Sequence, residues 1–143
     1  MKKIGFVGVG IMGKSMVRNL MKAGFEVSIY TRTKSKVEDV IGEGAIWCDS
    51  VAECAKGRDA VISIVGYPKD VIEVYFGPAG ILANADPGTY VIDMTTTSPK
   101  LAVQIFDEAE KLGLHAIDAP VTGGDSGAKA GTLTILAGGK KDD

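Results

Sequence analysis

At 143 residues, 45% of them hydrophobic, the chain is the size of one domain and can bury about 68–70% of its unfolded surface. Sixteen basic against 18 acidic side chains, a net charge of −2, argue against a nucleic-acid or membrane-surface partner. Cys48, Cys54 and the single histidine match no metal or redox spacing, Met1-Lys2-Lys3-Ile4 does not resemble a signal peptide, and no apolar run reaches the length of a membrane span, so a cytoplasmic protein is expected.

Ile4 to Val7 is short and apolar, the pattern of a strand buried on both faces of a parallel sheet. It runs directly into Gly8-Val9-Gly10-Ile11-Met12-Gly13, a G-x-G-x-x-G run. Gly8 suits the sharp turn out of a strand, Gly10 lets backbone approach a pyrophosphate, and Gly13 lets helix and strand pack closely. Met12, Met16, Val17, Leu20 and Met21 then fall on one helical stripe, opposite Lys14, Ser15, Arg18, Asn19 and Lys22, and Gly24 ends the helix. The positive end of that helix faces the glycine loop, which makes an anion site suited to a dinucleotide. Taken alone, the run also fits a turn kept for backbone reasons, since the chain has 19 glycines.

The next strand is Phe25 to Tyr30, and its end bears on the cofactor. An NAD-selective site places a carboxylate here for the ribose 2′-hydroxyl, and that carboxylate would repel a 2′-phosphate. This chain has Thr31-Arg32-Thr33-Lys34 instead. A guanidinium pairs bidentately with phosphate and two threonine hydroxyls add hydrogen bonds, so NADP(H) is expected over NAD(H). The plainer alternative is that Arg32 and Lys34 are solvated charges and that Thr33 or Ser35 caps the next helix.

That helix carries Val37, Val40 and Ile41 on one stripe; Ala45 to Trp47 reads as a short strand and Val51 to Ala55 as a short helix capped by Ser50. Ala60 to Val65 is a further strand, followed by Gly66-Tyr67 and by Pro68 at the start of a helix whose Val71, Ile72 and Tyr75 are expected to face one way. Loops at the carboxyl ends of such strands surround the ligand, which places Val65, Gly66 and Tyr67 near the nucleotide. Asp70 could join them, or it could serve only as partner to the helix dipole.

Ile81-Leu82-Ala83 is too short to assign. Thr89 to Met94 is a strand that stops at the hydroxyl cluster Thr95-Thr96-Thr97, and Ser98-Pro99 starts a helix with Leu101, Ala102, Ile105, Phe106, Ala109 and Leu112 on its stripe. Thr95 and Thr96 read either as ligand contacts or as ordinary strand-end residues. The last strand pair is expected at Leu114 to Ala119 and Thr132 to Ala137, with His115 at the end of its strand away from any ligand. Between them, the Gly- and Thr-rich run 119–132 can present several backbone N–H groups to a carboxylate, or it is a loop without a ligand. The pattern is a doubly wound, mostly parallel α/β sheet with helices on both faces.

The segment Phe6 to Met16 resembles the N-terminal signature of the 3-hydroxyacid dehydrogenases, a group that contains 3-hydroxyisobutyrate dehydrogenase, tartronate semialdehyde reductase and the glyoxylate and succinic semialdehyde reductases, with 6-phosphogluconate dehydrogenase as a relative. Asp118-Ala119-Pro120-Val121-Thr122-Gly123-Gly124, continuing to Gly131-Thr132-Leu133, is similar to the family's substrate-binding run, and Asp93-Met94-Thr95-Thr96 lies between the two. The resemblance covers essentially the whole chain. It implies cofactor contacts from Gly8, Val9, Gly10, Ile11, Met12, Gly13, Thr31, Arg32, Val65, Gly66, Asp70 and Thr95 or Thr96. It further implies that Thr122, Gly123 and Gly124 hold the carboxylate or hydroxyl of a small carboxylic acid substrate. Two departures stand out: Thr122 replaces the family's usual serine, adding a methyl group, and Val65-Gly66 replaces a Leu-Pro pair.

In that family a lysine in a later G-x-x-G-x-x-x-K-type segment donates a proton while nicotinamide delivers hydride, and an asparagine one helical turn on helps place the substrate. Both belong to a second, all-helical domain through which members assemble. The chain is expected to be the NADP-binding domain alone, residues 1–143, with little activity by itself and with homo-oligomers only through the missing domain. Lys129, Lys140 and Lys141 lie in loop and tail segments and are not assigned the lysine's role, so no residue is assigned as catalytic. A stand-alone nucleotide-binding sensor and an imine- or 6-phosphogluconate-type reductase are the alternatives.

Overall fold

The computed structural model describes residues 3–9, 11–64, 68–94, 99–118, 121–122, 134–135 and 138–139 of the chain. β1 (Lys3–Val7) lies in the interior of the sheet, buried from Ile4 onward. It pairs in parallel with β2 (Glu26–Tyr30) on one side and β4 (Ala60–Ser63) on the other. β3 (Ile46–Trp47) extends the sheet beyond β2, and β5 (Tyr90–Asp93) and β6 (His115–Asp118) extend it beyond β4, all in parallel. Parallel neighbours need crossover connections, and helices supply them. α1 (Ile11–Lys22), a single 3₁₀ turn (Lys34–Val37), α2 (Glu38–Gly42), α3 (Val51–Ala55), α4 (Pro68–Tyr75), α5 (Ile81–Asn84) and α6 (Pro99–Lys111) follow in chain order. The expected doubly wound α/β fold is the one found.

Strand alternation divides the core into two layers. Ile4, Phe6, Val27, Ile29 and Ile62 pack with Val17 of α1 and Val37 and Val40 around α2. Val7, Val61 and Val91 point the other way and pack with Cys54, Val71, Tyr75, Ile81, Leu101, Ile105 and Ala109 of α3 to α6. Among the described residues, no helix is long and apolar enough to cross a membrane.

Three expectations are corrected. Ile72 is 49% exposed, and Val74 instead completes the inward stripe with Val71 and Tyr75. Val71, Val74 and Tyr75 stand at i, i+3 and i+4, whereas residue i+1 is about 100° round the helix. Leu112 is 45% exposed because α6 ends one residue before it. The strand expected over 132–137 is not part of the main sheet: β8 (Thr134–Ile135) pairs antiparallel with β7 (Val121–Thr122), and β9 (Gly138–Gly139) runs antiparallel along β6. Ile81-Leu82-Ala83, too short to assign from sequence, belongs to α5.

α3 begins as its sequence implies, with Ser50 Oγ accepting from the Glu53 N–H at 3.1 Å. It lies so close to the sheet that a Cβ on Gly5 would collide with the Cys54 carbonyl oxygen. Hydrogen bonding to Cys54 and the nearby Arg58 guanidinium, whose Nη2 is 3.9 Å from Cys48 Sγ, hold the buried Cys48 thiol down at about 7. The contact with Cys48, together with burial, pushes Cys54 up. A thiol ordinarily titrates near about 8.5, so folding favours the Cys48 thiolate; stability is gained as pH rises from about 7 to about 8.5 and lost as pH falls back through 7. The urea midpoint should therefore be higher at pH 8.5 than at pH 6.5, by about 1 kcal/mol in stability, since the raised Cys54 thiol offsets part of the Cys48 gain as pH nears 8.5. The same pH difference persisting in Cys48→Ser would exclude the thiolate as its source.

Candidate dinucleotide site

The site lies where the strand order reverses, at the carboxyl end of β1 between β2 and β4. Gly8 leaves the strand at φ 90°, a conformation costly for any residue with a Cβ, and its N–H donates to the Tyr30 carbonyl at 2.9 Å. Val9 is buried against the α1 side of the sheet. α1 then starts at Ile11, with Met12 in its first turn and no acidic residue there to occupy the positive end of the helix. Gly13 is where helix and strand touch: a Cβ at this position would stand 2.9 Å from the Gly8 carbonyl oxygen and 3.3 Å from the Phe6 ring. A turn open for backbone approach, a helix N-terminus free of carboxylates and a contact that tolerates only glycine fit a dinucleotide pyrophosphate.

Beyond β2, Thr31 is half-buried, Thr33 exposed and the Arg32 side chain 68% exposed. Thr33 occupies the cap position of the 3₁₀ turn without a side-chain cap bond, so its hydroxyl is not committed to the helix. Arg32 is exposed but paired: its Nη2 donates to Asp70 Oδ1 at 2.7 Å and to Glu73 Oε2 at 3.3 Å. Because β1 lies between β2 and β4, this ion pair joins the two sides of the glycine turn. Lys34 turns away from it, with Nζ 5.7 Å from the centre of the Trp47 ring beside β3.

Gly10, Val65, Gly66, Tyr67, Thr95, Thr96, Gly123 and Gly124 lie outside the described residues. The strands that lead to five of them, Val65 to Tyr67 and Thr95 and Thr96, are tied together. The Ile64 N–H donates to Val7 at 3.0 Å and the Met94 N–H to Ser63 at 2.8 Å. Beneath these strand ends, Ser63 Oγ shares a 2.5 Å hydrogen bond with Tyr75 Oη and donates to Asp93 Oδ1 at 3.1 Å, all three residues being buried. The backbone of Thr122 pairs with Thr134 across β7 and β8. His115 stacks on Tyr90 with ring centres 4.7 Å apart at the amino ends of β6 and β5, the end away from the glycine turn.

Thus Gly8, Gly13 and the start of α1 meet at one end of the sheet, and Arg32 and Asp70 meet across it. Glu73 and the Ser63-Tyr75-Asp93 network are the residues the sequence reading missed. A polar residue closing an apolar strand, as Ser63 and Asp93 do, is the signal that could have indicated the network.

Residues 3–143 match the family model described as the NAD binding domain of 6-phosphogluconate dehydrogenase. An uncharacterised oxidoreductase of Bacillus subtilis, YkwC, is 52% identical over 99% of this chain and 49% of its own length. The structure of Mycobacterium tuberculosis 3-hydroxyisobutyrate dehydrogenase with L-serine superposes with a TM-score of 0.92 at 32% identity, over 99% of this chain and 48% of that one. That of Psf3 in complex with NADP+ and 2-OPP also reaches 0.92, at 28% identity over 97% of this chain and 49% of that one. The chain therefore spans about half the length of the proteins it matches.

Proposed function

The chain belongs to the family of the NAD binding domain of 6-phosphogluconate dehydrogenase, and from that premise we propose that it is the NADP(H)-binding half of a reductase acting on a small 3-hydroxy acid or semialdehyde acid. The observation that carries the reading is the glycine turn closed on α1 at Gly13, with Arg32 in place of an acid beyond β2. Gly8 to Gly13 would hold the pyrophosphate; Thr31, Arg32 and Thr33 would hold the adenosine ribose and its 2′-phosphate. Val65, Gly66, Tyr67, Asp70, Thr95 and Thr96 would line the rest of the nucleotide, and Thr122, Gly123 and Gly124 would receive the substrate carboxylate or hydroxyl. The bound nicotinamide supplies or accepts a hydride.

These residues bind and orient. A carbonyl that gains hydride also needs a proton donor within hydrogen-bond reach, worth about 10²- to 10⁴-fold. We assign that donor, a lysine by family resemblance, to the half of the relatives that this chain does not span, so the chain alone should bind cofactor without appreciable turnover. The likeness to oxidoreductases over nearly all of this chain favours an enzyme's domain over a free-standing sensor.

The test is a calorimetric titration with NADPH and NADH, repeated on Arg32→Ala. NADPH should bind more tightly than NADH, and the variant should lose about ten- to a hundredfold for NADPH alone, the value of one charge-assisted pairing to phosphate. Equal affinities in the wild-type chain, or an NADPH affinity that ignores Arg32, would refute the NADP assignment.

A further inference from the structure

The environment of Arg32 is more acidic than a 2′-phosphate reader needs. One guanidinium faces two carboxylates, and both bonds run through the same nitrogen, Nη2. The carboxylates come from α4, one helical turn apart at i and i+3. Asp70 is 8% exposed and stands in the first turn of α4, where the helix dipole also holds it. Glu73 is 73% exposed and lies past that first turn. Three cations on the elements around the glycine turn are engaged elsewhere. Lys34 is drawn towards Trp47, Lys14 pairs with Asp39, and Arg18 pairs with Asp39 and Glu43 on α2.

We infer that Glu73, seated beside Asp70 on Arg32, is a specificity-determining residue that weakens the chain's preference for a 2′-phosphate. Asp70 anchors the guanidinium across the glycine turn, and Glu73 supplies the negative charge that an NAD-selective site carries at the end of its second strand. A 2′-phosphate that pairs with Arg32 must compete with the Glu73 carboxylate for Nη2 and settle beside its charge. A 2′-hydroxyl has no such conflict. The device is a repulsive element set against one of two ligands, and it acts from α4 instead of β2. The inference rests on the proposal that Arg32 reads the 2′-phosphate.

The experiment uses two probes of the adenosine end, adenosine 2′,5′-bisphosphate and 5′-AMP, titrated at low and moderate salt into the wild-type chain, Glu73→Gln and Arg32→Ala. Glu73→Gln should bind the bisphosphate about three- to tenfold more tightly, with 5′-AMP unchanged, the scale of one unit charge removed at about 4 Å in a water-like dielectric. The gain should shrink as salt rises. If Arg32→Ala weakens the bisphosphate while Glu73→Gln leaves it unchanged, the inference fails and the NADP reading stands. If Arg32→Ala leaves the bisphosphate unaffected, the NADP reading falls and the inference with it. Equal tightening of both probes would also overturn the inference, because Glu73 would then repel any phosphate.

Discussion

Replacing Gly13 by valine is expected to abolish dinucleotide binding, with affinity for NADPH falling by more than about a hundredfold, since misplacing an orienting group by 1 Å can cost about that much. The first added carbon would already stand 2.9 Å from the Gly8 carbonyl oxygen and 3.5 Å from Ile64 Cγ2, and two further methyl groups would have to be placed around it. The oxygen belongs to the backbone of the turn, so it cannot rotate aside. Either α1 moves off β1 or the turn shifts, and in both cases the helix N-terminus no longer faces the position that Gly8 opens. Overpacking of this kind also destabilises, by about 1–3 kcal/mol. Calorimetry with NADPH, alongside thermal unfolding, separates the two effects. A folded Gly13→Val chain that binds NADPH as well as wild type would show that the contact between helix and turn does not shape the site.

Tyr75→Ala is expected to bring the largest loss of stability, about 3–5 kcal/mol, the range for removing a large aromatic side chain from a core. Tyr75 is 1% exposed and packs in the layer that joins α4 to β4 and β5. Its hydroxyl adds a second contribution through Ser63 and on to Asp93. Tyr75→Phe isolates that contribution and should cost about 1–3 kcal/mol, because a buried hydroxyl then loses a partner. Urea unfolding of both variants gives the packing and hydrogen-bond shares by difference. The network lies beneath the strand ends that lead to 65–67 and 95–98, so the Phe variant should also bind NADPH more weakly. A Phe variant as stable as wild type would mean that the hydroxyl contributes packing volume only.

Gly13 and Tyr75 differ in how far their determinants lie along the chain. The glycine loop, the strand before it, the helix after it, the Ser50 cap and the proline-started helices were all legible, because each depends on residues within about four positions: a turn's φ, a cap's hydrogen bond, a run of apolar side chains at a fixed period. Gly13 was legible for the same reason, being a fixed number of residues from Gly8. Tyr75 was legible only as an apolar residue on a stripe. Its bonds run from α4 to Ser63 on β4 and through it to Asp93 on β5, and nothing near Tyr75 announces them. Ile72 and Val74 show the limit within a single helix, since both are apolar and only the position of the sheet decides which one is covered.

By itself the sequence determined the α/β class, the alternation of strands and helices, and the glycine turn between β1 and α1. Tertiary structure alone decided the strand order that sets β1 between β2 and β4, the antiparallel pairing of β9 with β6, and the backbone contact that excludes a side chain at Gly5. It also decided that Arg32 meets two carboxylates 38 and 41 residues away. The physical reason is range. Backbone geometry and periodicity act over a few residues and can be read from neighbours, whereas an ion pair or a strand pairing depends on which distant segments the packed sheet brings within about 4 Å.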